Sequence, residues 1–125
     1  MLRCAVVEDE KESRLLFRDY VSRFNREKGV LLLPLFYRDA EEFLSSAASF
    51  DLVLMDIRMP VMDGYEATKR IRALANKDVA GIPIVAMTAN AFDEDRKASF
   101  EAGMNEHIAK PVSIEKLKDV LSMFL

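Results

Sequence analysis

The chain has 125 residues, half of them hydrophobic and 31% charged, which suits one globular core and excludes general disorder. A net charge of −3 offers no basic field to nucleic acid or acidic lipid, and with one cysteine, Cys4, and one histidine there is neither an internal disulfide nor a zinc cluster. No apolar run reaches the ~18 residues of a membrane span. Residues 1–10 turn acidic too early for a secretion signal, so a cytoplasmic single domain over 1–125 is expected.

Apolar runs and helical stripes alternate along the chain. Residues 2–7 are a short apolar run that stops at Glu8-Asp9-Glu10. Leu16, Phe17, Tyr20, Val21 and Phe24 then fall on one face of a helix. Residues 30–37 read as a strand whose Pro34 argues for a sheet edge. Ala40, Phe43, Leu44, Ala47 and Ala48 make a second helical stripe, and residues 51–55 a run apolar enough for a fully buried strand. A third helix is predicted over 64–74, with Ala67, Ile71 and Leu74 inward. Residues 82–87 form another buried strand, and 91–102 a helix with little apolar content that stops at Gly103. A short strand over 107–109 precedes a last helix striped by Ile114, Leu117, Val120, Leu121 and Phe124.

Strands alternating with helices predict a (βα)5 α/β fold, a doubly wound parallel sheet covered on both faces. The flavodoxin-like strand order 2-1-3-4-5 is the expected solution, with ligands at the carboxyl ends of strands 1 and 3. Pro34 agrees, because strand 2 is then an edge. In such a sheet the residues just past each strand share one rim: Glu8, Asp9 and Glu10, then Asp56, Thr88 and Lys110. Two carboxylates ~4 Å apart repel by about 4 kcal/mol at an effective dielectric near 20. A hard divalent cation such as Mg2+ would offset that repulsion, and Lys110 and Thr88 would supply donors for an incoming anion. Taken singly, Asp9 or Glu10 reads as a helix cap, Thr88 as a loop hydroxyl, Lys110 as a surface lysine and Asp63-Gly64 as turn and cap chemistry. Agreement at four strand ends is what singles the site out.

The segment Leu54-Met-Asp56-Ile-Arg-Met-Pro60-Val-Met-Asp-Gly64, with Glu8-Asp9, Met87-Thr88-Ala89 and Lys110-Pro111, resembles the receiver domain of two-component response regulators. The stretch Ile84-Val-Ala-Met-Thr-Ala-Asn-Ala-Phe92, followed by Glu101-Ala-Gly-Met104 and Lys110-Pro111, is most similar to receivers attached to hybrid histidine kinases, with single-domain regulators a close second. The resemblance spans nearly the whole chain. It implies that Asp56 accepts a phosphoryl group from a phosphohistidine on a histidine kinase or histidine phosphotransfer domain. It implies Mg2+ held by Glu8, Asp9, Asp56 and the main-chain carbonyl of Arg58, phosphoryl oxygens bound by Thr88 and Lys110, and a cis Lys110–Pro111 bond. The domain would promote its own phosphorylation and dephosphorylation without being an enzyme on an outside substrate. Movement of Thr88 would be passed to an output face made of the fourth helix, fifth strand and last helix. The fourth helix has only Phe92, Phe100 and several alanines to hold it, and that thin apolar content suits an element that moves. The chain stops with its last helix, so output is expected from a linked domain or a downstream protein.

Against the family pattern, Glu8 stands where Asp is usual, and His107 stands where Tyr or Phe is the usual switch side chain. His107 is therefore either an imidazole that swings inward or a solvated edge-strand histidine. Arg58 and Asn90 occupy positions that modulate dephosphorylation in the family. A flavodoxin-like redox protein would need a Ser/Thr/Gly-rich loop after strand 1, where this chain has three acids. An aspartyl-phosphate phosphohydrolase would need an acid at position 58, where this chain has Arg. The remaining alternative is a phosphorylation-independent pseudo-receiver acting as a docking module.

Overall fold

In the computed structural model, which describes residues 2–46, 49–89 and 93–125, the apolar runs form five strands: β1 (Leu2–Val7), β2 (Leu32–Tyr37), β3 (Leu52–Asp56), β4 (Ile84–Thr88) and β5 (Glu106–Ala109). All pairings are parallel and the order is β2-β1-β3-β4-β5, as expected. Cys4 pairs with Pro34 at the β2 edge and with Leu52 on its other side. The helices are α1 (Lys11–Lys28), α2 (Ala40–Leu44), α3 (Gly64–Arg72), α4 (Lys77–Ala80), α5 (Asp93–Ala102) and α6 (Ile114–Phe124). Ala47, Ala48, Asn90, Ala91 and Phe92 lie outside the described residues. No helix among the described residues is long and apolar enough to cross a membrane.

The central strands are apolar throughout because both faces are covered. Ala5, Val7, Val53, Met55, Ile84 and Ala86 face one core with Phe43 and Ile71. Cys4, Val6, Leu52, Leu54, Val85 and Met87 face the other, against Phe17, Val21 and Phe24 of α1 and Leu117, Val120 and Leu121 of α6. Burial pushes the Cys4 thiol up to about 12, so it is core filler, as are Met55 and Met87.

Three expectations fail. Leu74 is 44% exposed, because α3 ends at Arg72 with Ala73 as its C-cap and Leu74 falls past the last turn. Leu16 is likewise 44% exposed; the inward stripe of α1 is Phe17, Val21 and Phe24. Phe100, expected to hold the fourth helix, is 45% exposed, with the Arg96 guanidinium over its ring. The short α4 is an addition, begun where the Asn76 side chain accepts the Asp78 amide.

What holds α5 in place of Phe100 is the buried pair Ser99 and Ala102, together with an arginine at the end of the sheet away from the rim. Arg72 donates to the carbonyls of Gly103 (2.9 Å), Ala80 and Ile82 (2.6 Å each) and to Asn105 Oδ1 (2.8 Å). Asn105 Oδ1 also accepts the Ile84 amide, so α3, α4, α5, β4 and β5 meet at one guanidinium. Arg72→Met strands these acceptors, and hydrogen bonds from a charged donor contribute about 1.5–3 kcal/mol. We expect Arg72→Met to lower the unfolding free energy by about 2–4 kcal/mol in a urea titration.

Candidate functional site

Strand ends position every rim residue. The Glu8 amide continues the β1–β2 ladder by donating to the Tyr37 carbonyl at 3.0 Å, which turns the Glu8 side chain into the sheet end, where it is fully buried. Asp56 is the last residue of β3 and Thr88 the last of β4; both are buried. Lys110 follows β5, and its amide donates to the Thr88 carbonyl at 2.7 Å. The Lys110–Pro111 bond is cis.

The side chains converge on Lys110. Its Nζ lies 2.9 Å from Glu8 Oε2 and 3.2 Å from Asp56 Oδ2, one ammonium between two carboxylates. Burial raises the Glu8 carboxyl to about 7 against the opposing pull of Lys110, and burial also raises that of Asp56. For Lys110, burial alone would lower the pKa, but the two carboxylates outweigh it and the net shift is upward. Asp56 Oδ1 accepts the Arg58 amide at 3.3 Å, while the Arg58 side chain is exposed.

Asp9 and Glu10 are exposed, and the Glu10 amide donates to Glu8 Oε1 at 3.2 Å. Carboxylate oxygens of Glu8, Asp9 and Glu10 lie within 4.8 Å of one another. Glu10 occupies the N-cap position of α1 but its side chain makes no cap bond, so its carboxylate stays with this cluster. Glu8 Oε2 is buried and, among the described residues, receives no aligned hydrogen bond; Lys110 meets it only as a close ion pair. An all-oxygen donor set with one such oxygen fits a hard divalent cation. Asp63 caps α3 by accepting the Glu66 amide at 2.9 Å, the turn-and-cap role expected of it.

One feature of the site escapes the sequence, and a second goes beyond the metal set that the resemblance implies. Arg14, one turn into α1, donates from Nη1 to the Glu8 main-chain carbonyl at 2.8 Å and so braces the acidic loop. Its only sequence signal is a position four residues after Glu10. Glu10, placed on the rim by the sequence but outside the metal set that the resemblance implies, joins Glu8 and Asp9 in the acid cluster. His107 does not reach the rim: it lies in register with Ala86, two residues short of Thr88. Nor is it a solvated histidine. Its side chain is 13% exposed, and Nδ1 is enclosed without a hydrogen-bond partner among the described residues, 3.6 Å from Glu106 Oε1.

The family model of the response regulator receiver domain matches residues 4–122. The chain is similar to the two-component response regulator ORR41 of Oryza sativa subsp. japonica, 38% identical over 133 aligned positions that cover 99% of this chain and 94% of that protein. It is 43% identical over 74 residues to the sensor protein GacS of Pseudomonas syringae pv. syringae, covering 58% of this chain and 8% of that much longer protein. Among solved structures, the receiver domain of the sensor histidine kinase PA1611 from Pseudomonas aeruginosa PAO1, with a magnesium ion coordinated in its active site cleft, superposes with a TM-score of 0.84. The two chains are 30% identical, with 98% and 96% covered.

The loop after Asp56 gives two substitutions of opposite sign. A Cβ on Gly64 would lie 2.6 Å from the Asp56 carbonyl and 2.9 Å from Ile57 Cα, both backbone atoms, so Gly64→Ala must displace the segment that ends at Asp56. Val61 has φ 71° and is 95% exposed. A β-branched residue there costs about 1–2 kcal/mol, of which the chain entropy of a glycine takes back about 0.5–1 kcal/mol. Chemical denaturation should show Gly64→Ala destabilised by about 1–3 kcal/mol and Val61→Gly stabilised by about 0.5–1 kcal/mol.

A pH dependence follows from Glu8. Its folded value of about 7 exceeds the ordinary 4.5, so the folded chain holds the proton more tightly than the unfolded one. That contribution to stability is complete below the unfolded value and is lost as pH rises through the folded one, and the Asp56 shift has the same sign. Without divalent cations, unfolding free energy should fall between about pH 5 and about pH 8. Glu8→Gln should flatten that slope in the same denaturant series.

Proposed function

The chain belongs to the response regulator receiver domain family, and we propose that it is a working phosphoacceptor that takes a phosphoryl group from a phosphohistidine onto Asp56. The observation that carries this reading is the buried Asp56 carboxylate with Lys110 Nζ 3.2 Å from Oδ2 and Thr88 at the next strand end. The donor is a histidine kinase or a histidine phosphotransfer domain acting in the cytoplasm, and residues 1–125 serve as one receiver.

An Asp56 carboxylate oxygen attacks phosphorus in line, the P–N bond of the phosphoimidazole breaks, and its electron pair returns to the donor's imidazole nitrogen, which takes a proton. Lys110 exchanges its contacts with Glu8 and Asp56 for the phosphoryl oxygens, and the Thr88 hydroxyl donates to another of them. The Arg58 amide holds the second Asp56 oxygen and so fixes the attacking one. Glu8, Asp9, Asp56 and the Arg58 main-chain carbonyl would hold Mg2+, with Glu10 close by; when bound, it neutralises charge on the phosphoryl group. The same groups would orient a water for return to the free carboxylate, which is how the domain promotes its own dephosphorylation.

The donor's helix is accommodated in a groove of about 310 Å³ between α1 and the Lys110–Pro111 segment, lined by Leu16, Phe17, Tyr20, Lys110 and Pro111. Output passes through α5, β5 and α6 to a downstream protein or linked domain. His107 lies on that face, in a groove of about 320 Å³ with Lys116, Asp119 and Met123. It serves as the switch side chain together with Thr88.

Intact-mass measurement after incubation with acetyl phosphate tests the reading. We expect one phosphoryl adduct that needs Mg2+ and is absent from Asp56→Asn. An adduct that persists in Asp56→Asn would place the acceptor elsewhere. Absence of any adduct from acetyl phosphate and from a phosphohistidine donor, both with Mg2+, would leave the pseudo-receiver docking module.

A further inference from the structure

The exposed flank of α1 that faces β2 breaks two rules of helix electrostatics. Lys11 is the first residue of α1, at the positive end of the helix dipole, where a cation is disfavoured. Arg14 and Arg18 follow at a spacing of four, a like-charge pair on one side of the helix. Four other cations have opposite-charge partners: Arg23 pairs with Asp19, Arg38 with Glu42, Arg70 with Glu66 and Lys97 with Glu101, each at a spacing of four. Among the described residues no carboxylate pairs with Lys11, Arg14 or Arg18. Three unpaired cations therefore share one stripe of a chain whose net charge is −3.

The stripe borders a groove of about 220 Å³ lined by Lys11, Arg14, Leu15, Arg18 and Phe36. Leu15 is 51% exposed, and the Arg18 guanidinium carbon lies 5.2 Å from the centre of the half-buried Phe36 ring. The volume suits one large side chain rather than a length of backbone. Uncompensated local costs collected at one exposed place mark a functional surface.

We propose that this groove docks an acidic segment of a partner protein, with one large apolar side chain seated on Phe36 and Leu15 and carboxylates on either side facing Lys11, Arg14 and Arg18. Charge complementarity selects the occupant: guanidinium groups accept carboxylates in a forked geometry, and the apolar floor fixes the register. The groove is separate from the one beside Lys110, which opens on the Leu16 side of α1. It is nevertheless tied to the acidic loop, because Arg14 spends one N–H on the Glu8 carbonyl and keeps its others for the docked carboxylate.

The test uses a short synthetic peptide, one Leu flanked by Asp and Glu residues, titrated into 15N-labelled chain beside its Asn/Gln counterpart. Shifts should concentrate at Lys11, Arg14, Leu15, Arg18 and Phe36, weaken with added salt, and be absent with the neutral peptide. The double reversal Lys11→Glu/Arg18→Glu should bind about tenfold more weakly. The same variant should unfold at equal or higher denaturant, because the reversal relieves the dipole and like-charge costs. Its labelling by acetyl phosphate should match the parent chain, which separates this surface from the phosphoacceptor reading. Three results would overturn the proposal: no shifts, shifts centred on the Leu16–Pro111 groove, or an affinity indifferent to the reversal.

Discussion

One ammonium between two carboxylates sets the terms for the rim. Lys110 Nζ, within 3.2 Å of both Glu8 and Asp56, is what allows two acids to stand at the ends of adjacent parallel strands with almost no exposure. Repulsion between the acids is of the order of 4 kcal/mol at ~4 Å and an effective dielectric near 20. The arrangement leaves one formal negative charge, which burial answers in part by raising both carboxyl pKa values. The rim is therefore a site in which one cation is already committed and further positive charge is welcome. Its geometry follows from the sheet. Glu8 is held by the last β1–β2 ladder bond, Asp56 ends β3, and Lys110 is tied to Thr88 by a backbone hydrogen bond.

The parts of the molecule legible in the sequence are those fixed by periodicity. Continuous apolar runs fixed the strands, Pro34 fixed the edge, and with the order known the rim residues Glu8, Asp56, Thr88 and Lys110 followed from position alone. The parts that were not legible depend on where a helix stops or where a long side chain reaches. Leu74 continues the spacing of Ala67 and Ile71, but the helix ends at Arg72, so periodicity carried the stripe one residue too far. Phe100 looked like an anchor because it is the large apolar residue of α5, yet the polar Ser99 is the one buried. Neither arginine that organises the fold carries a local signal. Arg72 reaches Gly103, Ala80, Ile82 and Asn105, and Arg14 reaches back to a carbonyl six residues earlier. Guanidinium groups satisfied by carbonyl oxygens leave no charge pattern in the sequence.

Those two arginines brace opposite ends of the sheet. Arg14 stiffens the loop of acids, so the acidic end of the rim has its backbone held in place. Arg72 fastens the C-terminal end of α5 at Gly103, at the end of the sheet away from the rim. The other end of α5 follows the Thr88 strand end. Of the described side chains of α5 only Ser99 and Ala102 are buried, so the helix is held chiefly at its C-terminal end.

The energetics then require more than one contact. Taking a two-state equilibrium from 1:99 to 99:1 needs about 5.5 kcal/mol of differential interaction. One charge contact at ~4 Å and an effective dielectric near 20 supplies about 4 kcal/mol before any desolvation is subtracted. A phosphoryl group that engaged Lys110 alone would therefore fall short, more so because Lys110 gives up Glu8 and Asp56 to reach it. In the proposed phosphoacceptor reading, Thr88 would supply the second contact. It ends β4, stands opposite Ala109 of β5, and shares a 2.7 Å backbone bond with Lys110. A displacement of either residue would therefore be felt by the other through the chain and would draw β5 with His107 along.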